Sequence, residues 1–375
     1  MVKHLGYFLA PFLSFIAILA VLQGNYYPFI YIFAFDISIG LADLLLKEDK
    51  GNIKNPNSFI LNLALYINLP LLLILTSLAI FVLTNYSPIW YMSLWSYFNI
   101  NLLDVRESIT LADKVILLLY LTPLFIATKG TNVGHELTHR KRKKFDMFVG
   151  NWLLALSWDC TFAIEHVYGH HKNVGLQDDP ATAKRGESLY LFILRATIKA
   201  HKDAWKIEID RLQRQSKFPF SLKNKMIQGY IRSLILCFGS FSIGGYAGVG
   251  IFIIWAIVAK SFLETINYID HYGLVRVPGE PVLPKHSWNS NHIASLSLLY
   301  NLNRHSAHHE KANLRYWELN AYPDAPTLPY GYLVCLYLAY FTPFLFKKIM
   351  KKRLAKWDEE YASPQELEII KTYNY

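Results

Sequence analysis

The chain has 375 residues, of which 53% are hydrophobic and only 18% are charged. A soluble domain usually carries about 25% charged residues, so the composition predicts an all-α, polytopic membrane protein that forms one domain over residues 1–375. The formal net charge of +10 does not indicate a nucleic-acid partner, because the basic residues gather at the ends of apolar segments, as they do where cytoplasmic loops meet anionic lipid. The three cysteines are scattered without a CxxC pair, which argues against a disulfide framework or a zinc site.

Six apolar segments are long enough, at about 20 residues each, to cross a bilayer as helices. They are residues 5–23, 27–46, 59–83, 112–131, 227–246 and 248–266. No small-residue cleavage site follows the first segment, which is therefore expected to be a spanning helix and not a signal peptide. Segment 88–98 is short and aromatic, typical of an interfacial piece, and segment 328–346 contains two prolines, so that it can span, re-enter or lie on the surface.

The distribution of basic residues predicts an orientation for these spans. Placing Lys3 inside also puts Lys47 and the basic run 140–144 inside, whereas the loop 84–111 falls outside with Arg106 as its one basic residue. The predicted layout has four spans in residues 1–131, a cytoplasmic cap insert over 132–226 with a polar helix near 198–216, two spans in 227–270, and a cytoplasmic cap and C-terminal segment over 271–375.

Nine of the thirteen histidines lie in three clusters and one isolated position, all on the predicted cytoplasmic side. Imidazole is the commonest metal ligand in proteins, and the spacings within the clusters place pairs of rings on one helical face. The spacing pairs His135 with His139, His166 with His170, and His305 with His308, and leaves the adjacent ring of the later clusters for a second ion. Nine ligands exceed the about six that one first-row ion takes, so two ions fit the number better. The predicted ligands are His135, His139, His166, His170, His171, His271, His305, His308 and His309.

Two other functions are compatible with parts of this pattern. His135 to His139 match the HExxH sequence of zinc proteases, in which Glu136 would be the general base, but the additional histidine clusters favour a larger metal centre. A metal-binding membrane transporter is the alternative outside the enzymes, although it would place its ligands near mid-membrane and these histidines lie at or beyond helix ends. His4 and His201 are expected to be ordinary hydrogen-bonded histidines.

The stretches HELTH, EHVYGHH, NYIDHYG, HSWNSNH and RHSAHH follow one another between about Asn132 and Gly331. Together they resemble the integral-membrane non-haem di-iron alkane 1-monooxygenases, within the fatty-acid-desaturase-like superfamily of histidine-box proteins. The resemblance also covers Asp179 to Ala183 and the stretch LPYGY from Leu328. A membrane fatty-acyl desaturase or hydroxylase, which shares the histidine boxes, is the closest alternative.

This resemblance implies six transmembrane helices with a cytoplasmic cap in which the nine histidines bind two iron ions. It implies terminal hydroxylation of linear alkanes to 1-alkanols, with O2 and with electrons from rubredoxin and a NAD(P)H-dependent rubredoxin reductase, at the inner (plasma) membrane of a bacterium. Because the sequence has no GxGxxG loop, flavin motif or CxxC pair, the electron donor is expected to be a separate protein. We expect it to dock near Arg140 to Lys144, or near Arg304 and Arg315, unless those charges face only lipid head groups.

Several further residues are expected to support the histidines from outside the ligand set. They are Glu136, Glu165, Asp179, Asp270, His286, Asn289 and His292. This chain departs from the family pattern at Val167, Asp270, Asn303 and Ala307, where Asn, Glu, Gln and Asp are usual, and these departures are expected to affect substrate preference. Apolar residues of spans 27–46, 59–83 and 112–131 are expected to line the substrate channel.

Overall fold

The computed structural model describes residues 2–46 and 48–372. Over these ranges the chain is helical and forms no strand beyond two isolated bridges, which confirms the all-α prediction. The helices of the first half are Val2–Gly6, Leu9–Gln23, Tyr27–Leu45, Ser58–Tyr66, Asn68–Leu83, Ile89–Ser96, Leu102–Ser108, Leu111–Ile116, Leu117–Leu121, Thr122–Phe125, Ile126–Thr131, Asn132–Thr138, Lys144–Ala155, Phe162–Glu165, His166–His170 and His171–Asn173. Those of the second half are Leu189–Gln213, Lys225–His271, Pro284–His286, Ile293–Leu298, His305–Glu310, Tyr316–Glu318, Tyr332–Phe341, Pro343–Glu360 and Pro364–Thr372.

Within the described ranges, five helices or runs of helices are long and apolar enough to cross a membrane. They are His4–Gln23, Tyr27–Leu45, Ser58–Leu83, Leu111–Thr138 and Lys225–His271. The first three end within a few residues of the predicted spans, whereas the fourth continues to Thr138 and so carries the first histidine. Lys47 lies outside the described residues, as does the side chain of Lys3, so the cytoplasmic orientation remains a prediction.

The longest apolar helix, Lys225–His271, contains both of the last predicted spans. A straight helix of its 47 residues would extend about 70 Å, more than twice the ~30 Å of a bilayer core. Its backbone leaves helical geometry at Gly245, where φ is 60°, next to the predicted turn. The Ser233 hydroxyl donates to the carbonyl of Ala155 at 3.1 Å, and Lys260 Nζ lies 3.0 Å from Asp159. Both halves therefore contact one short segment, and the chain folds back at Gly245, although six separate spans remain a prediction.

Close backbone packing fixes the end of the fourth apolar helix, which carries the first histidine pair. A Cβ atom at Gly134 would lie 2.9 Å from the Leu154 side chain and 3.0 Å from the carbonyl oxygen of Gly150. A Cβ atom at Gly150 would in turn lie 3.0 Å from Leu137. Two facing glycines thus let helix Lys144–Ala155 pack directly against the helix that holds His135.

The predicted segment 328–346 is two helices that meet at Thr342 and Pro343. The apolar one, Tyr332–Phe341, is ten residues or about 15 Å long, too short to span a bilayer. The polar helix expected near 198–216 is observed at Leu189–Gln213.

The C-terminal helices attach to the loop that precedes the third histidine cluster. Trp357 Nε1 donates to the carbonyl of Lys285 at 2.7 Å, and Glu366 Oε1 lies 2.9 Å from His286 Nε2. Burial alone would raise the pKa of Glu366, but hydrogen bonds from His286 and Lys285 prevail and lower this pKa to about 2. The helix Pro364–Thr372 is therefore held to the short helix Pro284–His286 by hydrogen bonds to a charged carboxylate.

Candidate metal centre

The nine predicted histidines come together in two groups. The five-histidine group consists of His135, His139, His166, His171 and His308, and the four-histidine group consists of His170, His271, His305 and His309. Within each group, one ring nitrogen of every histidine lies within 4.8 Å of the corresponding nitrogen of every other. Because a metal–imidazole bond is about 2.1 Å long, two ligands of one ion lie up to about 4.2 Å apart. Each group is thus close to the size of one metal site.

The rings of the five-histidine group face one another through their Nε2 atoms. Nε2 of His135 lies 2.8 Å from Nε2 of His308. Nε2 of His171 lies 3.1 Å from Nε2 of both His166 and His308. His139 Nε2 is buried and has no hydrogen-bond partner.

The four-histidine group is built in the same way. Nε2 of His305 lies 2.9 Å from Nε2 of His309 and 3.1 Å from Nε2 of His271. Nε2 of His170 lies 3.2 Å from Nε2 of His309. These four residues are all buried.

The pairing within the second and third clusters differs from the one predicted. His166 and His170 fall in different groups, as do His305 and His308. Residues 166–170 form a π-helix, whose i→i+5 bonding turns His171 onto the face of His166 and sends His170 to the other group. The Glu165 carboxylate occupies the space beside Gly169, where a Cβ atom would meet it. In the third cluster the four-residue spacing pairs His305 with His309.

The electrostatics of the two groups favour neutral imidazole. Burial, and next the charges of neighbouring histidines, hold the pKa of His166, His308 and His309 well below the ordinary value. Neutral rings leave one nitrogen lone pair free, and these lone pairs point at each other. One proton can satisfy only one pair of nitrogens, whereas a cation at the centre satisfies them all. The donor set therefore fits a metal ion in each group, and among the described residues neither group contains a carboxylate.

Four of the residues expected to support the histidines contact them or their helix. Nδ1 of His170 donates to the Asp179 carboxylate at 2.9 and 3.1 Å, and Asp270 Oδ2 lies 3.6 Å from His305 Nε2. The backbone carbonyl of His286 accepts from His271 Nδ1 at 3.3 Å. The Asn289 amide is bonded to the hydroxyl and the backbone N–H of Ser306, at 2.6 and 2.8 Å, and so fixes the start of helix His305–Glu310.

The other three predicted supports have different contacts. Glu136 accepts hydrogen bonds at 3.1 and 2.6 Å from the guanidinium of Arg140, and both side chains are buried. A carboxylate held in this way is not the free general base of a zinc protease. One oxygen of Glu165 is buried without a hydrogen-bond partner, and its pKa is raised by burial and next by the charge of Asp179. His292 bonds to the nearby Ser290 hydroxyl at 3.0 Å.

A small cavity of about 30 Å³ lies against both histidine groups. His135 and His166 from one group and His305 from the other contribute to its wall. The apolar part of the wall comes from Phe162, Leu263, Ile266, Leu299 and Leu302, and not from the predicted spans 27–46, 59–83 and 112–131. The space next to the two histidine groups is therefore mostly apolar and only large enough for about one small chemical group.

Two of the four departures from the family pattern line this cavity, namely Asp270 and Asn303. Val167 and Ala307 do not. Tyr332, which the sequence reasoning did not select, also lines it and donates from its hydroxyl to Asp270 at 2.8 Å. Tyr332 lies in the quoted LPYGY stretch, so that motif was the signal for it.

A sequence profile of the fatty acid desaturase family matches residues 114–339, which include all nine histidines. The chain belongs to the fatty acid desaturase family. Together with its long apolar helices, this membership makes the chain an integral membrane protein.

Named relatives within the family are monooxygenases. Alkane 1-monooxygenase 1 of Alcanivorax borkumensis is 39% identical over 235 residues, which are 60% of this chain and 57% of that protein. Alkane 1-monooxygenase of Acinetobacter baylyi is 34% identical over 260 residues, which are 68% of this chain and 63% of that protein. The match thus spans less than two thirds of these relatives. The xylene/toluene monooxygenase hydroxylase component XylM of Pseudomonas putida is 29% identical over 371 residues, 99% of this chain and 94% of that protein.

Proposed function

We propose that this protein hydroxylates the terminal methyl group of a linear alkane, using O2 at a centre of two iron ions held by the nine histidines. The observation that carries the proposal is the pair of all-imidazole groups, both of which contribute to the wall of one small, mostly apolar cavity. The five-histidine group would hold one iron and the four-histidine group the other. Bound iron would supply the activation of dioxygen, with one oxygen atom going to the substrate and one leaving as water at the cost of two electrons and two protons.

The residues of the cavity would bind and orient the substrate. An alkane has no polar group, so its binding must come from apolar burial, which contributes about 0.8 kcal/mol for each methylene. Phe162, Leu263 and Leu302 offer such a surface next to His135 and His305. The cavity admits only the end of a chain, which favours reaction at a terminal carbon.

Asp179 and Asp270 would act on the histidines. The Asp179 carboxylate accepts the Nδ1 proton of His170 and so directs Nε2 of that ring toward the four-histidine group. Asp270 lies beside His305 and is itself oriented by Tyr332. Both carboxylates also offset part of the positive charge that an all-imidazole shell leaves on the metal.

We propose that electrons come from a separate acidic protein, rubredoxin reduced by a NAD(P)H-dependent rubredoxin reductase. Two of the expected docking residues are unsuitable, because Arg140 and Arg304 are buried in hydrogen bonds. The partly exposed histidines are His139 and His171, and the exposed lysines and arginine beside them in sequence form the better surface. They are Lys141, Arg142, Lys143 and Lys172.

A methyl group on an aromatic ring is the second candidate substrate. The relative named a xylene/toluene monooxygenase component matches this chain over almost its whole length, and the alkane 1-monooxygenases match over about 60% of theirs. Both substrates present a methyl carbon to the same cavity. They differ in the group that carries the methyl carbon, a linear chain in one and an aromatic ring in the other. The aromatic substrate therefore needs a wider path to the cavity.

The test is turnover under 18O2 with purified protein in lipid nanodiscs, rubredoxin, rubredoxin reductase and NADH. Octane and para-xylene are supplied in separate reactions. The proposal expects a primary alcohol with one 18O atom, from octane for the first candidate and from xylene for the second. If the product is instead an alkene or an unsaturated acyl chain that contains no 18O, the protein is a desaturase and not a hydroxylase.

A further inference from the structure

A second, larger cavity opens on the side of the molecule between helix Leu189–Gln213 and the second half of the longest helix. We call it the side cavity, and its volume is about 470 Å³, within the range of small-molecule binding sites. Its outer part is apolar and includes Leu194 and Ile257, whose side chains are 60% and 64% exposed. Ile257 lies on the apolar helix Lys225–His271, whose exposed apolar side chains face lipid, so this wall of the side cavity opens toward the membrane.

The inner end of the side cavity is polar and rigid. Lys260 Nζ lies 3.0 Å from Asp159 and 2.7 Å from Glu264, and Thr161 donates its hydroxyl to Asp159 at 2.6 Å. The carboxylates are 1% and 2% exposed. Asp159 and Lys260 line the side cavity, whereas Glu264 lines the narrow space next to it. One ammonium and two carboxylates leave a net negative charge, with acceptor lone pairs still free on the carboxylate oxygens.

A third, narrow space of about 10 Å³ lies between the side cavity and the cavity at the histidines. Its wall includes Thr161 and Lys260, which also line the side cavity, and His166 and Asn267, which also line the cavity at the histidines. Asn267 Nδ2 donates to Glu264 at 3.0 Å, so the polar network continues into this space. Polar side chains thus connect the histidine groups to an amphipathic pocket.

We propose that the side cavity binds a primary alcohol, and that it is the site through which the hydroxylated product leaves for the membrane. This inference rests on the proposed function, because that reaction makes a primary alcohol beside His166. The hydroxyl group of the alcohol can donate to the Asp159 carboxylate at the inner end while its apolar tail packs against the outer wall. A carboxylate is disfavoured by the net negative charge, and an alkane gains nothing from the polar end.

The same reasoning explains why the product needs its own site. Before reaction the substrate is wholly apolar and can reach the histidines through apolar surroundings. After reaction its hydroxyl needs a hydrogen-bond partner at every stage of departure, because an unpaired hydroxyl in an apolar passage is costly. The network of Asn267, Glu264, Lys260 and Asp159 offers such partners along the whole path.

The test is photolabelling of the full chain in nanodiscs, with a primary alcohol of eight carbons that carries a diazirine at its tail. Because the diazirine sits on the tail, the expected labels lie in the outer wall, in peptides covering 190–197 and 253–257. Excess 1-octanol should suppress labelling roughly tenfold, whereas octane and octanoate at equal concentration should leave it nearly unchanged. Leu194→Trp fills the mouth and should lower labelling by a similar factor. Leu191→Trp, on the same helix but away from the cavity, should not.

Labels outside these peptides, equal suppression by octane, suppression by added phospholipid alone, or equal effects of the two tryptophan variants would overturn the inference. Binding is measured without turnover, so it is separate from the proposed function. A protein that binds octanol here but does not hydroxylate would disprove the function and keep the site. A protein that hydroxylates without this labelling would do the reverse.

Discussion

The hydrogen bond between Asp179 and His170 offers the sharpest test of the metal centre, through the substitution Asp179→Asn. The carboxylate is buried and accepts from His170 at 2.9 Å and from Thr182 at 2.6 Å. An amide of the same size keeps the shape but presents an NH2 group as well as an oxygen. If the NH2 group faces His170, it favours a proton on Nε2, the nitrogen that must bind the metal.

The size of the effect follows from this contact. A hydrogen bond to a charged group contributes about 1.5–3 kcal/mol, and each 1.4 kcal/mol changes an equilibrium about tenfold. The affinity of the four-histidine group for its metal ion should therefore fall by about 10- to 100-fold, which is the usual loss when a hydrogen-bond partner of a metal ligand is removed. The five-histidine group, which has no contact with Asp179 among its described bonds, should keep its metal.

The assay is competition with a graded chelator, followed by metal analysis of the protein. Asp179→Asn should lose one of two metal ions at a chelator concentration about 10- to 100-fold lower than the unaltered protein requires. Asp178→Asn is the matched control, since this neighbouring carboxylate is exposed. Equal metal retention by all three proteins, or loss of both ions together, would refute the role assigned to Asp179.

Three further results are expected. Because folding lowers the pKa of His166, the unfolded chain takes up more protons than the folded chain below about pH 6.5. The melting temperature of the metal-free protein should therefore fall as the pH drops from about 7 to 5 and stay level above pH 7. A melting temperature that does not change between pH 7 and 5 would contradict this. Arg140→Met leaves the buried Glu136 without its ion-pair partner and should lower the free energy of unfolding by about 3–5 kcal/mol, measured by thermal or denaturant unfolding. Arg142→Met changes an exposed residue and should lower it little; equal losses in the two variants would argue against the buried pair. Folding lowers the pKa of Glu366, so the ionised carboxylate should add roughly 3 kcal/mol to the free energy of unfolding above about pH 4.5, and this stabilisation is lost as the pH falls toward 2. Glu366→Gln should therefore melt at a lower temperature than the unaltered protein at neutral pH but not at pH 2.

The sequence was sufficient to select the nine histidines that the structure brings together, because their spacing beside apolar segments is a local pattern. Their division between two groups was only partly predictable. Helical periodicity predicts that His166 pairs with His170, but the π turn adds one residue and pairs His166 with His171. Nothing in the residues 166–171 alone shows that a wider turn is more stable there than an α-helix.

Contacts between segments that are far apart in the chain could not be predicted from the sequence. The run of basic residues at 140–144 was expected to form a docking surface, yet Arg140 is buried against Glu136 from the preceding turn. The channel was expected in the early spans, whereas the cavity at the histidines takes its apolar wall partly from Leu263 and Leu302. Each of these depends on which helices pack together, and a single sequence does not contain that information.

We propose that two separate groups of histidines each hold one iron. The metal content of the purified protein, produced in iron-supplemented cells and measured by plasma mass spectrometry against protein concentration from amino-acid analysis, tests this proposal. Two iron atoms for each chain would support it. One zinc atom for each chain, or a single metal ion that persists at full iron supply, would contradict it.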